Sequence, residues 1–422
     1  MFDLDRWQEI ISALKKNKMR TFLTAFGVFW GIFMLVIMLG AGNGLRNGVT
    51  SDFGDFATNS MFVWTRSTSV PYKGLPRGRN FNFKNDDIEA LRKEVPEIGI
   101  LSPRTQGGGL QNGNNVIRGS KSGAFSIMGD YPEWNEIDPV TITSGRFINN
   151  ADIKDKRKVA VIGNKVQEIL FQPGENPIGQ YIQIQGIYFQ VVGTFKPLNS
   201  GVNFGGDKEQ TIFMPLTTFQ RVYNWGDIIG WFAITSKDGI PVSDMEQKVF
   251  DVLKRRHLVS PDDNEALGSF NLEKQYNQMN GLFQGINGLI WIVGIGTLLA
   301  GVIGISNIML VIVKERTKEI GIQRAIGASP AKIISQIITE SVFLTTFAGY
   351  VGLVISVFLL EMLNKVLLSG AASERTMFKN PGIDFNMAII ALAILVVSGA
   401  IAGWVPAKKA VSIKPIDALR YE

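Results

Sequence analysis

Four long apolar segments constrain the fold of this chain more than any other feature of its sequence. Segments 21–41, 281–313 and 385–407 contain no charged residue, and segment 333–360 contains only Glu340. A helix of about 20 apolar residues crosses the hydrocarbon core of a bilayer, which is ~30 Å thick. Buried helices of soluble proteins rarely reach this length without a charge. The sequence therefore predicts four transmembrane helices instead of several soluble domains.

The distribution of lysine and arginine predicts how these helices cross the membrane, because cytoplasmic loops carry an excess of both residues. Basic residues are concentrated before the first apolar segment, between the second and third, and after the fourth. We therefore expect these three regions and both termini to be cytoplasmic in a multi-pass membrane protein. The net charge of +6 follows from this asymmetry and does not indicate binding to nucleic acid.

The predicted fold class is a membrane α-helical unit of four transmembrane helices, with a large α+β domain of two subdomains inserted between the first and second helix. In chain order, the predicted parts are a cytoplasmic amphipathic helix on the lipid surface (1–20), the first transmembrane helix (21–42), a large domain on the outer side of the membrane (43–280), the second transmembrane helix with a stalk (281–313), a short cytoplasmic helix (314–329), the third transmembrane helix (330–362), a short outer loop (363–384), the fourth transmembrane helix (385–406) and a cytoplasmic tail (407–422).

The inserted domain mixes strand patterns with helical patterns. Tyr181 to Gln185 alternates with the period of two that is typical of a half-buried strand, and Gly186 then predicts the turn of a hairpin. Helical spacing is found at 85–94 and at 164–170, and Asn85 is the expected N-cap of the first of these helices. These patterns are the basis for expecting an α+β domain.

No catalytic, metal-binding or cofactor-binding constellation is expected in the chain. It contains one histidine, His257, and no cysteine, which excludes a zinc site built on several such ligands and a Cys/His pair. We expect His257 to be a solvated surface residue. The sequence also lacks the Gly-x-x-x-x-Gly-Lys-Ser/Thr motif that cradles the phosphates of ATP.

The second apolar segment is longer than a bilayer requires. At 1.5 Å per residue, segment 281–313 would make a helix of about 50 Å. Residues 272–280 before it keep a helical composition, so we expect the helix to continue into the inserted domain as a stalk that includes Gly281, Leu282 and Phe283. Small residues recur four positions apart in three pairs, a spacing that permits close contact between helices in lipid. These pairs are Gly27/Gly31, Gly281/Gly285 and Gly399/Gly403. The near absence of charge inside the spans argues against a polar route through them.

The connection between the second and third spans reads as a short helix with a defined stop. Gly327 is the expected C′ residue, and Ser329 and Pro330 are expected to begin the next helix. The run from Lys314 to Ser329 resembles the corresponding segment of the MacB/FtsX superfamily of ABC transporter permeases. Further parts of the chain resemble that family's periplasmic core domain and tail; these are 145–147, 159–163, 176–180, 191–193, 214–216, 406–410 and 415–420.

The resemblance implies that segment 314–329 is the helix that couples the permease to an ATPase. On that basis the expected coupling residues are Glu315, Arg316, Glu319, Ile320, Gly321, Arg324, Ala325, Gly327 and Ala328. We expect Ile320 and Ala325 to be seated in a groove of the ATPase. Because this chain has no ATP-binding motif, the resemblance implies that a separate cytoplasmic subunit binds ATP and that the chain itself is not an enzyme.

The resemblance also implies a mechanism and further partners. Members of this family act as dimers that transmit ATP-driven motion to the periplasmic domain, so a homodimer or a heterodimer with a second permease is expected. Efflux of antibiotics, peptides or other amphiphiles is the leading expectation, together with a periplasmic adaptor and an outer-membrane channel. Lipoprotein release and FtsX-like regulation of a cell-wall hydrolase are the alternatives.

Overall fold

A computed structural model describes residues 18–53, 56–107, 114–198, 206–369, 378–383 and 385–412 of this chain. The structure divides into two compact units. We call them the membrane unit, which holds the described residues up to Val49 and from Gly281 onward, and the sheet domain, Thr50–Asn280. Most of the predicted amphipathic helix at 1–20 and most of the tail lie outside the described residues, as does much of the predicted loop at 363–384.

Eleven helices are found in the part of the chain that the structure describes. In chain order they are α1 (Lys18–Phe53), α2 (Asn85–Glu94), α3 (Trp134–Ile137), α4 (Asn150–Lys154), α5 (Asn164–Leu170), α6 (Leu216–Val222), α7 (Val242–Arg256), α8 (Leu272–Glu315), α9 (Thr317–Ala325), α10 (Pro330–Ser369) and α11 (Phe385–Val411). Four of them, α1, α8, α10 and α11, are long and apolar enough to cross a membrane.

The helices that carry the apolar segments extend beyond the predicted spans. Helix α1 continues past 42 to Phe53, and α10 continues past 362 to Ser369. Helix α8 begins at Leu272, so it includes residues 272–280, as their helical composition predicted. Helix α11 passes through Pro406 and ends at Val411. Hydropathy identifies only the part of a helix that lies in the hydrocarbon core. The helix can continue into water on either side, because its backbone hydrogen bonds are made within the helix itself.

Glycines bring the helices of the membrane unit close together. A Cβ atom on Gly31 would lie 3.5 Å from the backbone nitrogen of Leu298 in α8. A Cβ atom on Gly399 would lie 2.8 Å from the Cα of Val342 in α10, and one on Gly403 would lie 3.1 Å from the Cα of Ile338. Two of the three predicted glycine pairs therefore lie at helix contacts within the chain.

The third pair, Gly281 and Gly285, is different. Among the described residues, no atom lies within 4 Å of a Cβ placed on either glycine. This face of α8 is therefore open, and the spacing of four residues alone does not distinguish a packed pair from an unpacked one.

Thirteen strands are found among the residues of the sheet domain that the structure describes. In chain order they are β1 (Ser60–Thr65), β2 (Phe83–Lys84), β3 (Ile98–Gly107), β4 (Asn114–Arg118), β5 (Lys121–Asp130), β6 (Val140–Gly145), β7 (Val159–Gly163), β8 (Tyr181–Ile184), β9 (Ile187–Pro197), β10 (Thr211–Pro215), β11 (Ile228–Ile229), β12 (Trp231–Ser236) and β13 (Leu267–Asn271). Eleven of them form one sheet, and β2 and β11 form a separate pair.

Part of the large sheet closes on itself. The pairing runs β10–β7–β9–β8–β4–β5 and returns to β10 through a parallel ladder between β10 and β5. The remainder extends from β5 through β3, β12, β1 and β13 as an antiparallel sheet. The large sheet therefore has a closed ring of six strands, an open four-stranded extension, and an eleventh strand, β6, which pairs with β9 of the ring.

Each part has its own hydrophobic core. The ring encloses buried side chains such as Phe125, Phe189 and Ile212, whereas α2 and α7 contribute to a second core under the open extension. Strand β1 alternates between faces, since Val63 belongs to this second core and Phe62 to a third cluster. The third cluster also contains residues of the ring, and it packs the two parts together.

The predicted hairpin and helices of the sheet domain are confirmed. Strands β8 and β9 are joined by Gln185 and Gly186, whose φ angles of 49° and 77° fit the two-residue turn that suits the twist of a hairpin.

The prediction that Asn85 caps α2 is wrong. Lys84 is the N-cap, and its backbone N–H donates to the Asp87 carboxylate at 2.8 Å. The Asn85 side chain instead accepts a hydrogen bond from Gln220 at 2.9 Å.

The contrast between glycine pairs predicts different costs for the same substitution. Gly399→Leu would force a side chain against the backbone of α10 and should destabilise the membrane unit by about 1–3 kcal/mol or more. Gly285→Leu points into open space and should not destabilise the unit, because leucine meets no neighbour there and favours a helix more than glycine does. Thermal denaturation of the full chain in detergent checks both variants, and an equal drop in Tm for the two would contradict the packing described here.

Candidate coupling site

The connection between α8 and α10 is a short helix with sharply defined ends. Arg316 alone separates the end of α8 from the start of α9. Helix α9 ends at Ala325, and Gly327 closes the cap that follows it with a φ of +103°. The backbone N–H of Gly327 donates to the carbonyl of Arg324 at 3.1 Å, and that of Ala328 donates to the carbonyl of Gln323 at 2.9 Å. These are the two hydrogen bonds of a Schellman cap. The predicted stop at Gly327 is thus confirmed, and α10 begins at Pro330.

One face of α9 is buried inside the membrane unit. Ile320 is only 8% exposed and belongs to the hydrophobic cluster of this unit, and Gly321 is buried beside it. The expectation that Ile320 is seated in a groove of another protein is therefore wrong, because its side chain is already packed among residues of its own chain. The reason is geometric. Residues of a short helix lie on different faces, and the face that carries Ile320 packs against the hydrophobic cluster of the membrane unit.

The opposite face of α9 is exposed and partly apolar. Ile322 is 46% exposed and Ile326 is 82% exposed. These two residues are four positions apart and share one face of the helix. Exposed Ala325 lies next to Ile326, and exposed Lys318 and Glu319 add charge to the helix surface. We call Ile322, Ala325 and Ile326 the coupling surface.

The other predicted coupling residues occupy varied positions. Glu315 and Gly327 are exposed, while Arg316, Arg324 and Ala328 are half-buried. Neither Ile322 nor Ile326 was singled out from the sequence. Their four-residue spacing indicates a shared helix face, but Ile320 on the other face is equally apolar. Only burial in the folded chain shows which of the two faces is exposed.

Two arginines connect α9 to the neighbouring spans. The guanidinium of Arg316 lies 3.4 Å from the carboxylate of Glu340 in α10, whose side chain is 3% exposed. At the other end, Nη1 of Arg324 donates to the backbone carbonyl of Val411, the last residue of α11, at 2.6 Å. The contact with Val411 is reinforced by the partial negative charge at a helix C-terminus.

A small cavity of about 40 Å³ lies under α9. Its lining includes Arg316, Glu319, Ile320 and Glu340, together with apolar side chains of α8 and α10. A single water needs roughly 10–15 Å³ of such space and several polar partners. The cavity therefore has the size and polarity to hold water beside the ion pair.

The predicted stalk residues lie within an uninterrupted helix. Gly281, Leu282 and Phe283 are part of α8, which contains no proline and no break between Leu272 and Glu315. Leu282 is 69% exposed, whereas Phe283 is 9% exposed.

The sheet domain contains a buried ion pair that the sequence did not indicate. Nε of Arg104 lies 2.9 Å from Oδ1 of Asp130, and both side chains are almost fully buried. Burial raises the pKa of Asp130 to about 7, and the nearby Asp138 adds to the rise while Arg104 opposes it. The guanidinium also lies 3.6 Å from the centroid of the Trp134 ring. The pair is thus enclosed by aromatic packing, and this enclosure argues against a site open to substrate.

His257 is not the solvated residue that the sequence predicted. Its side chain is 12% exposed, and Nε2 lies 2.7 Å from Oδ2 of Asp87. Burial would raise the pKa of Asp87, but its hydrogen bonds with His257 and Arg256 outweigh that effect and hold the pKa below its ordinary value. Histidine at the end of α7 meets α2 in the fold, a contact that no local pattern shows. Among the described residues, no group of histidine and carboxylate side chains could hold a metal ion.

Comparisons with known proteins agree with this architecture. Residues 21–251 match the MacB-like periplasmic core domain, and residues 291–415 match the FtsX-like permease C-terminal region. The chain is 30% identical to the pyoverdine export ATP-binding/permease protein PvdT of Pseudomonas putida, covering 96% of this chain and 58% of that protein. It is 27% identical to the macrolide export ATP-binding/permease protein MacB of Bdellovibrio bacteriovorus, covering 97% of this chain and 60% of that protein.

The chain thus spans about three fifths of the length of these curated relatives. Among solved structures, the periplasmic region of MacB from Actinobacillus actinomycetemcomitans matches 54% of this chain and 95% of its own length, at 18% identity and a TM-score of 0.43. The match to the MacB-like core domain covers more than half of the 422 residues, since it runs from 21 to 251. The protein therefore belongs to the MacB/FtsX-like ABC permeases.

Proposed function

We propose that this protein is the transmembrane subunit of a MacB-like ABC efflux system. In this proposal, a separate cytoplasmic ATPase binds the coupling surface of Ile322, Ala325 and Ile326, and its motion is passed on to the sheet domain. The observation that carries the proposal is the exposed apolar face of a short helix held between two membrane spans. Apolar residues that are 46% and 82% exposed on a helix outside the apolar spans are typical of a binding surface.

The physical character of the membrane unit supports transmission of motion over passage of a polar solute. The candidate spans hold few ionisable residues, and channels and transporters for polar solutes usually line their route with such groups. Helix α8 runs without a break from Leu272 to Glu315, so it offers a continuous rod. ATP would be bound by the partner subunit, and we assign no cofactor to this chain.

The class of cargo is proposed from the relatives. Two of them are named for the export of pyoverdine and of macrolides, which supports efflux of amphiphilic small molecules over lipoprotein release or hydrolase regulation. We further propose that the chain works as a homodimer or with a second permease, together with a periplasmic adaptor and an outer-membrane channel. The inner membrane is the proposed location, with both termini in the cytoplasm and the sheet domain in the periplasm.

The coupling surface predicts a specific binding defect. Ile326→Asp should weaken binding of the ATPase by at least about 30-fold, because loss of an apolar anchor at an interface costs roughly 2 kcal/mol or more. The membrane unit should stay folded, since Ile326 is 82% exposed. Ile326→Val is the matched control and should retain binding. The measurement is the amount of ATP-hydrolysing subunit that co-purifies with the tagged full chain from its native cells.

Ile320→Asp provides the opposite case, because it buries a charge in the hydrophobic cluster. It should lower the Tm of the purified chain, whereas Ile326→Asp should not. If Ile326→Asp co-purifies with the ATPase as well as the native chain does, the coupling surface has been placed on the wrong face.

The proposed orientation predicts which positions are accessible from outside the cell membrane. The chain has no cysteine, so a single introduced thiol can be labelled without background. Ser122→Cys in β5 should react with a membrane-impermeant thiol reagent on spheroplasts, and Ser329→Cys before α10 should react only after lysis. Both serines are exposed. The reverse pattern, or labelling of both on intact spheroplasts, would rule out the proposed topology.

Transmission through α8 predicts that a kink uncouples ATP hydrolysis from export. Leu282→Pro removes a hydrogen bond inside the helix and costs about 3 kcal/mol or more locally. The variant should keep ATP hydrolysis in the reconstituted complex but lose export. The export probes are a panel of macrolides and siderophores, restricted to those that the native complex moves. Leu282→Ala is the matched control and should export normally. Export at the native rate through the proline variant would contradict the transmission mechanism.

A further inference from the structure

Helix α9 is attached to the membrane unit at both of its ends. Arg316, at its start, reaches Glu340 in α10 across 3.4 Å. Arg324, in its last turn, donates to the carbonyl of Val411 at the end of α11 at 2.6 Å. Ile320 lies between these two arginines and is buried in the hydrophobic cluster. The coupling surface is therefore carried on a helix that is fixed at three points along its length.

Arg316 contacts two carboxylates that differ in their surroundings. Glu319, on α9 itself, lies 3.4 Å from Nε of Arg316 and its side chain is 69% exposed. Glu340 lies at the same distance from Nη1, but its side chain is only 3% exposed. Solvent screens an exposed pair, whereas a buried carboxylate that loses its partner is left with an uncompensated charge. Glu340 is therefore the contact that holds Arg316 in place, and Glu319 contributes little to the attachment.

The position of Glu340 in the sequence fits this role. It is the only charged residue of segment 333–360, and isolated charges in apolar spans are costly unless they are paired. Its partner Arg316 is the single residue between α8 and α9. The ion pair thus joins α10 to the point where the chain leaves α8 and enters α9.

We propose that Arg316 and Arg324 lock α9 onto α10 and α11, so that the three helices move as one rigid body. Force on the coupling surface is then delivered to two membrane spans at once, through Glu340 and through the backbone at Val411. In this view the two arginines are positioning residues and not part of the surface that binds the ATPase. Only the origin of the force rests on the proposed function. The attachment of α9 to α10 and α11 is a property of this chain alone.

The attachment can be measured on the full chain in lipid nanodiscs, without a partner. A nitroxide on Lys318→Cys reports the start of α9, since this position is exposed and the chain has no other cysteine. In the native background we expect the spectrum of a slowly moving label. Glu340→Gln should shift the spectrum toward faster motion, whereas the matched control Glu319→Gln should leave it unchanged. A native-like spectrum for Glu340→Gln, or an equal shift for Glu319→Gln, would overturn the proposal.

A double variant separates the ion pair from a general loss of structure. If Arg316 and Glu340 act through each other, Arg316→Gln combined with Glu340→Gln should shift the spectrum no further than either substitution alone. Two shifts that add would mean that each residue acts independently, and the proposed joint would be wrong.

The far end of α9 has its own test. A nitroxide on Ile326→Cys should become more mobile in Arg324→Ala than in Glu340→Gln, and the label at 318 should show the reverse order. Equal responses at both positions would contradict attachment at two separate points. The outcome is independent of ATPase binding: if Ile326→Asp retains its ATPase while the labels behave as expected, the proposed function fails and the rigid attachment of α9 stands.

Discussion

The close approach of helix backbones at glycine residues is the interaction on which the membrane unit depends. Lipid tails are as apolar as leucine, so burial of apolar surface does not drive helices together in a bilayer, and van der Waals packing has to do so. Gly399 and Gly403 let α11 approach α10 until their Cβ positions would meet backbone atoms. Gly31 also faces the backbone of α8, but a Cβ there would lie at ordinary contact distance, 3.5 Å from the nitrogen of Leu298. The buried face of α9, and with it the coupling surface, is set by where these helices come to lie.

Each unit contains an ion pair whose carboxylate is buried. Glu340 with Arg316 lies in the membrane unit, and Asp130 with Arg104 lies in the sheet domain. Removing two charges from water costs several kcal/mol per ion, and mutual attraction only partly offsets this. Such pairs are weak evidence for stability, but they penalise any arrangement that separates the partners. Our interpretation of Arg316 as a positioning residue depends on this penalty, which the spin-label measurements test directly.

Local patterns predicted much of the sheet domain. Alternation in Tyr181–Ile184 and a glycine at 186 were enough to predict the β8–β9 hairpin, because strand period and turn geometry are properties of short segments. The helices at 85–94 and 164–170 were predicted for the same reason. The closure of the ring was not predictable. It requires β5 and β10 to pair in parallel, with Ser126 opposite Thr211, and no local signal links positions so far apart in the sequence.

By itself, the sequence determined the four membrane spans, the short helix between the second and third of them, and the helix stop at Gly327. Each of these depends on residues that are adjacent or a few positions apart. It also determined that Ile322 and Ile326 share one face of a helix, because that follows from 3.6 residues per turn. Only the tertiary structure decided that this face is exposed and that of Ile320 is buried. Helical periodicity fixes faces relative to one another, but which face meets solvent depends on the neighbours that cover the helix. In this fold, α10 and α11 hold α9 through Glu340 and Val411.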